Sequence, residues 1–295
     1  MTKADAAVLC GVLNVCKPIG VTSRDVVDRV SKPLRKIKVG HAGTLDPLAS
    51  GVLVICVGTA TRLIEYVQQM PKTYRAVVRL GATSDTLDAD GTVVERECER
   101  IPTEAEVRLA LAAQVGTILQ MPPQFSALKV AGKRAYDLAR QGKTAELVAR
   151  PVDVYRINLT SYAWPRLDIT IDCGSGTYIR SIARDVGEAL GCGGLIEILT
   201  RTKIGGFSIE DAIDPEQLSR ETIPGFLRPA IDTLTGLPRV EISGEDVARI
   251  VRGQAISGRE GTKPGEVALI GKNGELIAVA EVTATGIAPR RVLAS

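Results

Sequence analysis

The run at residues 40–51 contains the residue types best suited to chemistry in this sequence. It places Asp46 in a glycine-punctuated turn, shortly after His41, which is the only histidine among 295 residues. Glycine permits sharp turns and close approach to a ligand, and Pro47 fixes the backbone beside the carboxylate. An Asp-Pro pair is also an ordinary helix start, with Asp as the N-cap. The pattern alone leaves both interpretations open: an ordinary helix start, or a catalytic loop whose carboxylate acts as a nucleophile or an electrostatic stabiliser.

The elements around this loop must hold it in place. Residues 11–15 have the pattern of a short buried strand, and Thr22-Ser23 offers an N-cap for the following helix. The apolar run at 52–57 after the loop has the length of a buried strand. Further strand patterns lie at 74–80, 152–159 and 167–173, and helix patterns at 60–69, after 103 and after 177. Strands and helices intermix without a regular βαβ repeat, so we expect an α+β fold.

The composition is that of a globular protein, with 45% hydrophobic and 24% charged residues. The net charge of +3 does not by itself indicate nucleic-acid binding, so only clusters of basic residues could. The six cysteines form no C-x-x-C pair, and with a single histidine a metal site is not expected. We recognise neither a signal peptide nor an apolar run of membrane-spanning length, and we expect a cytoplasmic protein.

The end of the chain differs from the rest. Residues 210–237 look helical and are punctuated by prolines, and Leu237-Pro238 marks a boundary. Beyond it, two apolar runs flank Asn273-Gly274, which is a strong hairpin signal. We therefore expect a catalytic domain at 10–236 and a compact β module at 238–295.

Five strings, in order, resemble the TruB-type tRNA pseudouridine synthases. They are 11–18 ending in Lys-Pro, the loop 40–51, KTYR at 72–75 with 80–91, PPQFSALK at 122–129, and GTYIR at 176–180. The resemblance implies a mixed-sheet pseudouridine synthase catalytic domain with a thumb-like insertion at about 126–150. The segment through 286–293 resembles the PUA-like RNA-binding module of that family. The implied reaction converts uridine to pseudouridine and needs no cofactor.

The resemblance assigns the catalytic roles to three residues. Asp46 matches the catalytic aspartate, and whether it attacks the sugar or the pyrimidine stays open. Arg180 matches the arginine paired with it, and an adjacent guanidinium is expected to keep the carboxyl pKa low. Tyr74 matches the active-site tyrosine, whose hydroxyl would relay or remove the C5 proton. Without the motifs, the arginine would be interpreted as a surface charge and the tyrosine as core.

Four further residues are implied to contact or position the substrate. Tyr178 and Leu199 match residues that line the uracil pocket, although Leu199 alone would be interpreted as plain core. His41 is placed to hold the flipped base or fill the space it leaves, since the target must leave its stack. Lys17 matches the family's Lys-Pro and is expected to brace the catalytic loop.

Basic residues predict where the RNA lies. Between 129 and 150 basic residues exceed acidic ones, and we expect Lys129, Lys133 and Arg134 to contact phosphates. The implied substrate is the T-arm stem-loop of tRNA, with the uridine at tRNA position 55 as target, and the implied enzyme is a monomer without an obligatory protein partner. Two alternatives are the guide-RNA-dependent synthases of archaea and eukaryotes, which lack the thumb-like insertion, and a non-catalytic RNA chaperone.

Overall fold

The computed structural model describes residues 9–126, 146–259 and 261–294, together with the backbone at 129–130 and 133–134. Its strands are β1 Gly11–Lys17, β2 Val39–His41, β3 Ser50–Val57, β4 Lys72–Leu80, β5 Ala82–Ser84, β6 Val93–Glu95, β7 Gly116–Gln120, β8 Lys129–Val130, β9 Lys133–Arg134, β10 Arg150–Ala163, β11 Arg166–Cys173, β12 Gly194–Ile204, β13 Phe207–Ser208, β14 Arg239–Glu241, β15 Gly265–Ile270, β16 Leu276–Thr283 and β17 Gly286–Val292. The helices are α1 Ser23–Leu34, α2 Ile64–Gln69, α3 Glu104–Ala112, α4 Ile179–Ala189, α5 Ile223–Phe226 and α6 Glu245–Val251, with 3₁₀ turns at Gly58–Leu63, Pro215–Gln217 and Ala230–Thr233.

A mixed sheet of nine strands forms the centre of the molecule. Its path is β1-β3-β12-β4-β11-β10-β7, with β2 on β3 and β13 on β12. The β3–β12 pair is parallel, and the other pairs of this sheet are antiparallel. The expected α+β class with a mixed sheet is confirmed.

Strand β3 is apolar from Val52 to Val57, as expected of a strand that is covered on both faces. Val52, Val54 and Cys56 pack into one hydrophobic cluster, while Leu53 and Ile55 pack into another with α1. Helix α1 begins at a capping box in which Thr22 and Asp25 satisfy each other's backbone amides. The catalytic loop is therefore anchored between two rigid elements.

The C-terminal residues form a second sheet in the order β14-β15-β16-β17. The hairpin predicted at Asn273-Gly274 is confirmed, since β15 and β16 pair antiparallel around it. This sheet has a hydrophobic cluster of its own, but Ala268, Val279 and Leu293 pack into the cluster that also holds β3. No helix within the described ranges has the length and apolarity needed to cross a membrane.

Candidate active site

A cleft of about 290 Å³ opens where the catalytic loop meets β4, β12 and the start of α4. Five of the predicted site residues line it: Asp46, Tyr74, Tyr178, Arg180 and Leu199. The loop, strand β4, helix α4 and strand β12 that carry them are distant in sequence, so the fold itself assembles the site.

The backbone of the catalytic loop is fixed at several points. Ser23 at the start of α1 exchanges two hydrogen bonds with the backbone of Leu45, at 2.8 and 3.1 Å. The Ala49 amide donates to the Asp46 carbonyl at 3.0 Å, which closes the turn around Pro47. Gly51 has φ +102°, and a Cβ there would lie 2.2 Å from the Arg201 carbonyl oxygen, so only glycine fits.

Arg180 joins Asp46 to a second carboxylate. Its Nη2 lies 2.9 Å from Asp46 Oδ2, and its Nη1 lies 3.2 Å from Asp88 Oδ2. The same guanidinium donates to the carbonyls of Thr86 at 2.8 Å and Phe125 at 2.9 Å. Arg180 and Asp88 are each 5% exposed, whereas the Asp46 side chain is 38% exposed toward the cleft. The Asp46 carboxylate thus faces the cavity, while Arg180 and Asp88 are withdrawn from water.

The expectation that Arg180 would keep the pKa of Asp46 low is wrong. Burial raises the pKa of the Asp46 carboxyl above its ordinary value, and the nearby Asp88 charge adds to the rise. The charge of Arg180 and its hydrogen bond lower the pKa of Asp46, but the effect of burial is larger, so the net shift is upward.

Tyr74 lies at the inner wall of the cleft. It is buried on β4, where Ile171 of β11 is its partner on one side and Arg201 of β12 on the other. Burial raises the pKa of the Tyr74 hydroxyl, and the charge of Arg201 and a hydrogen bond from it partly offset that rise.

Tyr178 and Leu199 both line the cleft. Gln120 fixes the Tyr178 backbone, accepting from its amide at 2.8 Å and donating to its carbonyl at 3.1 Å. Arg150 lies over the Tyr178 ring, with its guanidinium carbon 5.1 Å from the ring centre. Leu199 is buried at the cleft from β12. These side chains give the cleft one apolar wall and one cationic rim.

His41 and Lys17 do not line the cleft. His41 ends β2 opposite Ile55, and burial lowers its pKa. Lys17 is fully buried and donates to the carbonyls of Pro18 at 2.8 Å, Val21 at 2.7 Å and Pro47 at 3.4 Å. Burial lowers the Lys17 pKa to about 8. Its contact with Pro47 supports the bracing role expected of it.

The side chains of Lys129, Lys133 and Arg134 lie outside the described residues, and their backbone forms the β8–β9 pair.

Sequence reasoning missed three charged residues at the site. Asp88 lies against Arg180, and Lys72 and Arg201 line the cleft. The strands of the latter two, KTYRAVVRL and GLIEILTRTKI, mix polar and apolar residues, so no local signal distinguishes these two positions.

Comparison with known proteins identifies the family. Three family models match consecutive segments: TruB family pseudouridylate synthase (N terminal domain) at 31–179, tRNA pseudouridylate synthase B C-terminal domain at 180–228, and Pseudouridine synthase II TruB, C-terminal, at 238–293. A protein from Thermobifida fusca named tRNA pseudouridine synthase B is 42% identical over 279 residues, covering 92% of this chain and 94% of its own length. A protein of the same name from Dehalococcoides mccartyi is 38% identical over 281 residues, covering 94% of this chain and 93% of its own length.

Solved structures agree in fold. A chain of an H/ACA ribonucleoprotein bound to a substrate RNA containing 2′-deoxyuridine superposes with a TM-score of 0.73 at 25% identity, covering 97% of this chain and 85% of its own. A chain of a Cbf5-Nop10-Gar1 complex also superposes with a TM-score of 0.73, at 26% identity. This match covers 96% of the present chain and 84% of the solved one. With these matches over nearly its whole length, the chain belongs to the TruB family of pseudouridylate synthases.

Proposed function

We propose that this protein converts the T-loop uridine at tRNA position 55 to pseudouridine, with Asp46 as the catalytic residue. The observation that carries this proposal is the Asp46–Arg180 pair inside a cleft of about 290 Å³, in a chain of this family. That volume is at the small end of ligand pockets, so it accommodates a single nucleotide and not a helical stem. The target uridine must therefore leave its stack to reach Asp46.

The reaction rearranges one nucleotide without a net change in composition. The N1–C1′ bond breaks, the base turns, a C5–C1′ bond forms, and the proton on C5 moves to nitrogen. An ionised Asp46 supplies the nucleophile or the negative charge that this sequence needs. Arg180 contacts Oδ2 of that carboxylate and so fixes its orientation in the cleft.

The other cleft residues supply positioning and proton transfer. Tyr74 is buried at the inner wall, where its hydroxyl relays the C5 proton and its ring supports the base. Leu199 and the Tyr178 ring exclude water from the detached base. In this proposal His41 acts at the edge of the loop, on the RNA around the flipped nucleotide, since it lies outside the cleft lining.

Regions outside the cleft hold the RNA in this proposal. Lys129, Lys133 and Arg134 of the thumb-like insertion at about 126–150 contact phosphates, and the PUA-like module at 238–295 adds contacts to those of the catalytic domain at 10–236. In this proposal the enzyme is a stand-alone monomer that acts on cytoplasmic tRNA. The two relatives described above, both named tRNA pseudouridine synthase B, are matched over more than nine-tenths of their length, which supports a tRNA substrate. A guide-dependent enzyme stays the alternative, because the chains of the H/ACA ribonucleoprotein and of the Cbf5-Nop10-Gar1 complex share the fold.

The deciding experiment incubates the protein alone with unmodified tRNA transcript and maps pseudouridine by carbodiimide-dependent primer extension. We expect one new stop in the T-loop, and no stop when position 55 carries cytidine. The isolated T-arm hairpin should be modified nearly as well as whole tRNA, because loop shape and backbone supply recognition. Absence of the T-loop product unless a guide RNA is added would contradict the proposal and favour the guide-dependent alternative.

A further inference from the structure

Arg201 is a buried cation at the cleft that the proposed reaction does not yet use. It is 1% exposed, yet its side chain lines the cavity from β12. Across the described part of the chain, no carboxylate lies within ion-pair distance of it. Besides its hydrogen bond to the Tyr74 hydroxyl, it donates to three backbone carbonyls: Nε to Val52 at 2.8 Å, Nη2 to Gly43 at 3.1 Å and Nη1 to Thr44 at 3.5 Å.

These acceptors lie on both sides of the catalytic loop. Gly43 and Thr44 precede Asp46, whereas Val52 follows it in β3. One guanidinium therefore ties the incoming and outgoing ends of the loop together. Arginine presents its donors in a rigid planar fork, so it holds several carbonyls in fixed directions where a lysine ammonium would act as a point charge.

The backbone of Arg201 also contacts the loop. Arg201 is opposite Gly51 in the parallel β3–β12 pair, at the position where a Cβ on Gly51 would lie 2.2 Å from the Arg201 carbonyl oxygen. On its other side, β12 pairs Arg201 with Tyr74. The residue thus contacts the loop that carries Asp46 and the strand that carries Tyr74.

Burying a cation among neutral acceptors costs free energy of folding, because the charge loses its hydration. An apolar residue of similar volume at this position would cost less. That cost is offset where the fork fixes groups whose relative placement matters for chemistry. We infer that Arg201 is a positioning residue for the isomerisation, which holds the two ends of the catalytic loop and aligns Asp46 with Tyr74. This inference rests on the proposed function and extends it.

The test compares Arg201→Lys and Arg201→Gln with the wild type and with Ile204→Val, a control that removes one methylene from the same buried strand. The T-arm hairpin serves as substrate, with single-turnover rate at saturating protein and Kd measured separately. Both Arg201 variants should lose about 10- to 100-fold in rate, because small misplacements of reacting groups are expensive. Their Kd should stay within about threefold, and Ile204→Val should keep the wild-type rate.

Hydrogen exchange gives a readout that does not depend on activity. In both Arg201 variants, amides of the peptide spanning residues 40–52 should exchange about tenfold faster, while those of β4 and β11 stay protected. A wild-type rate in Arg201→Lys would overturn the inference. So would faster exchange spread equally over β4 and β11, which would indicate a general loss of stability. If the wild type itself made no pseudouridine, the proposed function would fail, and the exchange result would still decide the bracing of the loop.

Discussion

The cluster of charges around Arg180 and the cluster around Arg291 differ in how much water reaches them. In the cleft, Arg180 is 5% exposed and its contacts join the loop, a turn and a helix. At the junction with the C-terminal sheet, Arg291 is 27% exposed, pairs with Glu65 and lies over the Tyr66 ring. Charge–charge forces are strong in the first setting and screened in the second.

The difference indicates separate tasks. The buried cluster fixes the Asp46 carboxylate, because water cannot reach Arg180 and Asp88 and compete for their hydrogen bonds. The exposed cluster adds little to stability, because surface ion pairs contribute about 0–1 kcal/mol. The C-terminal sheet is held instead by apolar residues such as Val279 and Leu293, which share a cluster with the catalytic sheet.

After substitution of Asp46 itself, the largest expected effect comes from Arg180. Arg180→Gln removes the charge that orients Asp46, so the single-turnover rate should fall by about 10²- to 10³-fold. Hairpin Kd should change little, because the side chain is almost fully buried. Rate and Kd of the variant are measured by rapid quench and filter binding. Arg184→Gln serves as control, because Arg184 is an arginine of the same helix that lies outside the cleft lining, and an equal rate loss there would contradict the assignment.

Asp88→Asn should reduce the plateau rate by about 10-fold, because it loosens Arg180. The same substitution should also shift the pH dependence of the rate in one direction. Asp46 has a raised pKa, so the wild-type rate should fall on acidification at a pH above the ordinary value of about 3.9. Removing the Asp88 charge, which raises that pKa, should move the acid limb to lower pH.

The pH–rate profile of the hairpin reaction checks this shift. Asp90→Asn makes the same charge change in the same turn on an exposed residue, and it should leave the limb in place. If the acid limb of Asp88→Asn moved to higher pH, the displacement of Arg180 would affect the pKa of Asp46 more than the lost charge of Asp88 does. The electrostatic explanation of the raised pKa would then be wrong.

Substituting Lys129, Lys133 and Arg134 together by Ala should weaken binding by removing phosphate contacts. Each lost contact should reduce the slope of log K against log salt by about 0.7–0.9. Hairpin affinity measured over a salt series gives the slope, and the rate at saturating protein should be unaffected. An unchanged slope would mean that these charges form only a solvated surface.

The smallest effect is expected at the exposed cluster. Arg291→Gln should cost about 0.2–1 kcal/mol of unfolding free energy and leave the saturated rate intact. Leu293→Ala, two residues away in the shared cluster, should cost about 2–5 kcal/mol. Urea unfolding compares the two variants, and a larger loss in Arg291→Gln would contradict the view that apolar packing joins the sheets.

The sequence predicted the parts of the fold that depend on local pattern. The strand at 52–57 was predictable because both of its faces are apolar. The observed strand, Ser50–Val57, is longer by two residues at its start. The helical segment expected at 210–237 breaks into short turns at Pro215–Gln217, Ile223–Phe226 and Ala230–Thr233. Proline restricts the residue before it and removes a donor, so the helical pattern there could not extend.

The site was predictable only where a motif marked it. Asp46, Tyr74 and Arg180 were found by resemblance, and the structure brings them to one cleft. Asp88 and Arg201 were missed because their roles depend on contacts across the sheet, with Arg180 and with the loop backbone. Such contacts have no local pattern in the sequence.

The most direct test of the central claim is the activity of Asp46→Ala on the T-arm hairpin beside the wild type. Asp46 faces the cleft, and apart from Arg180 it carries no structural ion pair among the described residues. We predict that the single-turnover rate falls by at least about 10³-fold while hairpin Kd stays within about tenfold. Measurable multiple turnover by Asp46→Ala would contradict the account.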